Sequence, residues 1–192
     1  WHLANNMIPD SPVPGEYGFD TYGAFNCAGE QMPVHEDSEH VVKFIQKSKA
    51  HGKPFFINMW LHEPHTPFHT VPKYRWRFRH LENEADNIYA SVLSHADDRV
   101  GEVLDELDRL EMTENTLVIF SSDNGPARSS RPAELGLMHD TATGAGYNVA
   151  AAKGITGGRK GYKSSLFEGG IGVPFIARWP GKIPSGRVDK KS

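Results

Sequence analysis

Three short stretches hold side chains whose types and spacing could do chemistry. The first, "HEPHTPFH" (62–69), presents His62, His65 and His69. Histidine exchanges protons near neutral pH and also ligates metals. A zinc-binding helix needs histidines at both ends of a five-residue span, but position 66 is Thr, and Pro64 and Pro67 forbid the helix. Zinc is therefore not expected, and His65 is either a polar surface group in a Pro-rich turn or a functional one. The second stretch, "SSDNGP" (121–126), sets Asp123 beside Asn124 after an apolar run. Asn-Gly favours a hairpin turn, yet the following "ARSSRPAELG" offers no alternating partner strand. The competing reading is a pair of hard oxygen donors, suited to Ca²⁺ or Mg²⁺, at the carboxyl end of a strand.

The third stretch, "GRKGYKSSLFEGG" (158–170), carries Lys160 and Lys163 among glycines. It lacks the spacing of a phosphate-binding loop, since Tyr162 separates Gly161 from Lys163 and no strand leads in. Either the lysines are a solvated basic loop, or the glycines let one of them come close to an anion. "TGAGYNVA" (143–150) likewise lacks the third glycine of a dinucleotide fingerprint.

The elements that must position these residues are legible from hydrophobic period. Residues 1–35 read as loop with at most one short strand. "DSEHVVKFIQKSKAHGK" (37–53) predicts a helix capped by Asp37 or Ser38, with Val41, Val42, Phe44 and Ile45 inward and Gly52 at its end. The continuous apolar run "PFFINMWL" (54–61) has the length of a strand covered on both faces. From Asn87 to Leu110, apolar residues recur at three- and four-residue steps, which predicts a long amphipathic helix whose acids are its wet side. "TLVIF" (116–120) and "VPFIARW" (173–179) read as further strands. Strand, helix, strand implies a βαβ unit, hence an α/β fold with a mostly parallel sheet sandwiched by helices. The Gly/Ala/Ser-rich stretch 126–162 shows no clear period and is expected to be a long loop.

The totals exclude some functions. A net charge of −3 over 192 residues argues against a nucleic-acid partner. No apolar run approaches a membrane span. The single cysteine, Cys27, excludes an internal disulfide framework.

Taken in order, "WHL", "PFFINMWLHEPHTP", "FSSDNGP" and "KSSLFEGGIGVPFIARWPG" resemble the formylglycine-dependent sulfatases of the alkaline phosphatase superfamily over nearly the whole chain. "KxxxxEGG" ahead of a Val-Pro-Phe strand is the most specific piece, and "PHTP" follows. The resemblance implies an alkaline phosphatase-like α/β fold and hydrolysis of sulfate esters, with sulfated carbohydrate or aryl sulfate as substrate. It implies that His2 sits beside the formylglycine hydrate, although Ala4 stands where the family usually has Gly. It further implies that His65 contacts the sulfate and the leaving-group oxygen, that Lys163 holds a sulfate oxygen, and that Asp123 and Asn124 form half of a calcium site.

The family nucleophile arises from Cys or Ser in (C/S)-x-P-x-R. Cys27 is followed by Ala-Gly-Glu, and "SRPAE" (130–134) ends in Glu, so the nucleophile and the remaining calcium ligands are expected upstream. Residues 1–192 then read as the central part of one catalytic domain, expected to be inactive and weak in calcium binding by itself. The resemblance also implies a secreted, periplasmic or lysosomal setting. The rival expectations are a phosphonate or phosphate ester hydrolase of the same superfamily and a non-catalytic binder of sulfated glycans.

Overall fold

The computed structural model describes residues 12–24, 33–127, 135–140, 144–149 and 154–189. After a 3₁₀ turn at Pro14–Tyr17 come α1 (Asp37–Ala50), α2 (Pro72–Arg77), α3 (Glu84–Arg109) and a second 3₁₀ turn, Thr113–Asn115. Then follow β1 (Val118–Ser121), β2 (Leu135–Asp140), β3 (Gly144–Val149), α4 (Glu168–Ile171) and β4 (Phe175–Arg178).

The long helix α3 organises the rest. Asn83 caps it, its side-chain oxygen accepting from the amides of Ala85 and Asp86, so the helix starts three residues earlier than its apolar period alone predicts. Ala85, Ile88, Val92, Ala96 and Leu107 form the buried stripe. Phe68, from the Pro-rich loop, inserts against Ala85, Ile88 and Val92, with Tyr89 and Tyr147 around them. Full burial of each large apolar side chain contributes about 1.5–3 kcal/mol. Helices α1 and α2 both pack on α3, α1 through Ile45, which is fully buried.

Helix α1 ends as expected at Gly52, whose φ of 61° suits glycine. Its start differs. The cap position is Glu36, whose side chain makes no capping hydrogen bond. Asp37 and Ser38 are instead buried first-turn residues that face α3, where Ser38 Oγ donates to Glu102 Oε2 at 2.6 Å. Short polar side chains that suit a cap also suit a buried tertiary bond, and here the second use prevails.

The strand expectations need correction in three places. Residues 54–61 belong to no ladder among the described residues. Their exposure alternates, with Phe56 and Trp60 on the open side. An apolar run reports a need for cover, not the presence of a hydrogen-bonding partner. Second, β1 pairs with β4 antiparallel, from Val118↔Arg178 to Ser121↔Phe175, whereas the βαβ reading expects parallel neighbours. Both ladders among the described residues are antiparallel. Third, the expected loop 126–162 contains the β2–β3 hairpin, tied to the Pro-rich loop by a bridge between Phe68 and Tyr147. Glycines at 136, 144 and 146 dilute any alternation, so the ladder leaves no hydrophobic signature.

Candidate active site

Strand β1 delivers Asp123 and Asn124 to its carboxyl end, where the chain bends instead of forming a hairpin. The glycine that follows is there for closeness. Gly125 N donates to Gly170 O at 2.8 Å, and a β-carbon on Gly125 would overlap the carbonyl of Gly169. Lys163 N donates to Pro126 O at 2.8 Å, and Gly169 N to Lys160 O at 2.7 Å. The "DNGP" bend and the "KSSLFEGG" loop are therefore clasped backbone to backbone, and the turn bearing Asp123 and Asn124 adjoins the residue Lys163. Asp123 is exposed, while Asn124 and Lys163 are half-buried.

Asn124 Nδ2 donates to Gly125 O at 2.8 Å, which orients the amide and leaves Oδ1 as a donor to a cation. A carboxylate beside a so-oriented amide oxygen fits a hard ion such as Ca²⁺ as part of its ligand set.

His65 stands on the loop 62–69. His65 N donates to His62 O at 2.9 Å, and His62 Nε2 donates to Pro67 O at 2.9 Å, closing the turn. His65 Nδ1 lies 2.7 Å from Thr66 O. A carbonyl only accepts, so Nδ1 carries a proton and Nε2 is the nitrogen left to trade one. The loop connects to the clasp through Tyr89. Its ring lies edge-on to Phe68 at 6.0 Å, and a β-carbon at Gly154 would come within 3.4 Å of its hydroxyl and 2.5 Å of Pro126 Cβ. His2 lies outside the described residues, as does Cys27.

What the sequence did not reveal is how the His65 loop is anchored. Glu63, two residues before His65, has a side chain with no solvent exposure. Arg99 of α3 reaches it with Nη2 at 2.6 Å from Oε2 and Nη1 at 3.2 Å from Oε1. The same guanidinium donates to Asp37 of α1, Nε to Oδ1 at 2.8 Å. One buried cation thus joins two carboxylates from α1 and the loop. Burial opposes ionisation of Glu63, but His35 and Arg99 beside it outweigh that and bring its pKa down to about 2. Burial first, then the Arg99 charge, pushes His95 down to about 4. The signal in the sequence is Arg99 itself, which follows Ile88, Val92 and Ala96 on the apolar stripe at helical spacing. A charge in that position must be paired.

His35, Glu63 and His95 bring potential ligand atoms within 4.8 Å of one another. His35 Nε2 is 3.0 Å from Glu63 Oε1, yet it makes no aligned hydrogen bond. Arg99 Nη1, however, sits 3.3 Å from His95 Nδ1 as well as against Glu63. A guanidinium already supplies the positive charge there, so the hard-donor pair at Asp123 and Asn124 fits a cation better.

The fold is α/β, of the alkaline phosphatase-like kind, and its candidate site collects cationic and hard-oxygen groups at the end of a strand. The chain belongs to the sulfatase family, whose model, described as Sulfatase, matches residues 7–192. It is 28% identical to N-acetylgalactosamine-6-sulfatase of Canis lupus familiaris, over 98% of this chain and 38% of that protein. It is 32% identical to N-acetylgalactosamine-6-O-sulfatase of Bacteroides thetaiotaomicron, over 68% of this chain and 22% of that protein. Among solved structures, the crystal structure of Ps i-CgsB in complex with k-i-k-neocarrahexaose superposes with a TM-score of 0.64 at 26% identity. That match covers 84% of this chain and 31% of the other. PsFucS1 sulfatase from Pseudoalteromonas sp. gives a TM-score of 0.54 at 29% identity, over 78% of this chain and 25% of the other. The chain spans under two-fifths of the length of each of these proteins.

Proposed function

We propose that this chain forms part of the active site of a hydrolase for sulfate esters, with sulfated carbohydrate as the substrate class. One observation carries the reading: the backbone clasp that sets the Asp123–Asn124 bend against Lys163. A sulfate monoester is an anion whose leaving oxygen gains charge as the S–O bond breaks. Lys163 is assigned to a sulfate oxygen, where a fixed ammonium favours the developing charge. His65, with Nδ1 held by the Thr66 carbonyl, is assigned to hand a proton from Nε2 to the departing alkoxide or phenoxide. His2 is assigned beside the nucleophile. Asp123 and Asn124 would hold Ca²⁺, which when bound supplies positive charge and orients the sulfate. The nucleophile, a formylglycine hydrate, would come from a segment other than residues 1–192. The carbohydrate assignment draws on the names of relatives such as the N-acetylgalactosamine-6-sulfatases, and a secreted, periplasmic or lysosomal setting is assigned with it.

The test is sulfate release by the intact protein from an aryl sulfate and from sulfated oligosaccharides, beside phosphate release from the matching aryl phosphate. The expected result is a large preference for sulfate, with Lys163→Ala lowering kcat/KM by about 10²–10³-fold, as for loss of one charge-stabilising donor. Preference for phosphate would move the chain to a phosphohydrolase reading. Tight glycan binding with no release of either anion would make it a binding module.

A further inference from the structure

We propose that Lys73–His80, "KYRWRFRH", is a docking platform for a chain carrying several sulfates, on the rim of the candidate active site. The proposal rests on the sulfated-carbohydrate reading above and assigns that substrate a second binding surface. Cations and aromatics alternate strictly through Arg79, and no acid occurs between Thr70 and Leu81. Helix α2 and the two residues after it turn this pattern into a surface. Trp76 is 67% exposed, a large apolar ring left in water. The Arg79 guanidinium lies 3.8 Å from its ring centroid and donates to the Trp76 carbonyl at 3.1 Å. Arg77 donates to Ser94 Oγ at 3.1 Å. Neither of those partners is charged, so both guanidinium groups keep their attraction for an anion.

The platform is held rigid from beneath. Tyr74 Oη donates to Asp98 Oδ2 at 2.6 Å, Asn87 Nδ2 to Arg75 O at 2.9 Å, and Arg75 pairs with Glu84 at 3.0 Å. It is also joined to the His65 loop. Arg75 lies 5.7 Å over the Tyr147 ring, and the backbone of Tyr147 exchanges hydrogen bonds with Phe68 at 2.9 and 3.1 Å, three residues beyond His65.

The chemistry points to one occupant. A planar guanidinium binds a tetrahedral oxyanion through two parallel hydrogen bonds. An exposed indole packs against the apolar C–H face of a sugar ring, as aromatic faces do with amphipathic partners. A sulfated glycan presents both features along one chain, and the exposed Trp76 ring with the Arg79 guanidinium against it answers both. Nucleic acid would also meet the cations, but a net charge of −3 over the chain is not the basic balance a nucleic-acid binder usually shows.

The experiment uses the intact protein, with dextran sulfate as probe and unsulfated dextran as control. Trp76→Ala with Arg79→Ala is expected to weaken dextran sulfate binding about tenfold, the scale of one cation–π contact plus one exposed charge. The salt dependence of binding should become shallower. Arg79→Lys should recover part of the loss, through charge without planarity. Because both residues are exposed, the melting temperature should hold, and kcat/KM on a small aryl sulfate should stay within about twofold, since such a substrate does not reach the platform. Unchanged dextran sulfate affinity would overturn the proposal, and so would an equal loss on the aryl sulfate. Equal, variant-sensitive binding of duplex DNA or of anionic phosphatidylserine vesicles would overturn its carbohydrate assignment. Variant-sensitive binding in a protein that releases no sulfate would leave the platform standing and sink the hydrolase reading. Sulfate release with variant-insensitive binding would do the reverse.

Discussion

Arg99 illustrates how much a single residue can fix. Its guanidinium is 2% exposed and binds Glu63 and Asp37 together, so removing it strands two buried carboxylates. Arg99→Met is expected to destabilise the intact protein by about 3–5 kcal/mol, read from urea unfolding. A smaller loss on replacing all three members with apolar residues would show that pairing, and not charge, is what the site requires. Glu63→Gln keeps the side chain's size but loses the charge-assisted bonds that anchor the loop. Acting through the loop and not on substrate, it is expected to lower kcat on an aryl sulfate more than it raises KM, as His65 loses its fixed turn. A variant whose kinetics match the wild type would show that the loop holds its geometry without the ion pair. The Asp123–Asn124 pair, proposed above to hold calcium, gives a third outcome at this scale. Asp123→Ala should weaken Ca²⁺ retention at least tenfold, measured by dialysis against a chelator series.

Among the elements, the glycine clasp and the α3 face make separable predictions. Gly125→Ala would force a β-carbon into the Gly169 carbonyl, and overpacking of that kind costs about 1–3 kcal/mol. Spreading the clasp also displaces Lys163 from the Asp123–Asn124 bend, so activity should fall further than stability does. The α3 face supplies a pH dependence. His95 titrates near 6.5 when unfolded and about 4 in the fold. Between those values the unfolded chain binds the extra proton, so stability declines as pH drops from about 6.5 to 4. Glu63 has the opposite sign of charge but the same direction of effect. Its pKa falls from 4.5 to about 2, so its contribution is complete above the unfolded value and disappears as pH falls through the folded one. A melting-temperature series over that range, with His95→Gln flattening its upper part, checks the assignment.

The helices were legible in the sequence because amphipathic period reports burial directly, as Ile88, Val92 and Ala96 show. The strands were legible only as apolar runs. Pairing direction depends on which segments meet, and nothing in "TLVIF" or "VPFIARW" encodes that β1 and β4 run opposite ways. The β2–β3 ladder escaped because backbone bonds, not side chains, define it. Of the candidate site, Asp123, Asn124, His65 and Lys163 stood out by type and order. Glu63, Arg99 and Asp37 lie far apart along the chain and come together only through helix packing.

On the scale of the whole molecule, the apolar surface is unevenly distributed. Ile119, Phe120, Phe175 and Ile176 on the β1–β4 ladder are each at least 44% exposed, and Phe56 on the extended run is 77% exposed. A two-stranded ladder is marginal by itself, and apolar residues on both faces call for layers on both sides. Residues 1–192 produced alone are expected to bind a hydrophobic dye and to unfold without a sharp transition, whereas the intact protein should do neither. A cooperative, dye-silent 192-residue product would show that the ladder needs no further cover. The antiparallel ladder has one more outcome. Because β1 leaves where β4 arrives, the polypeptide departs at Pro126 and returns at Lys160 through a single fixed gateway. What lies in between can be exchanged as a cassette only where the replacement keeps Tyr147 in register against Phe68, so any remodelling of the insert is tethered to the loop that carries His65.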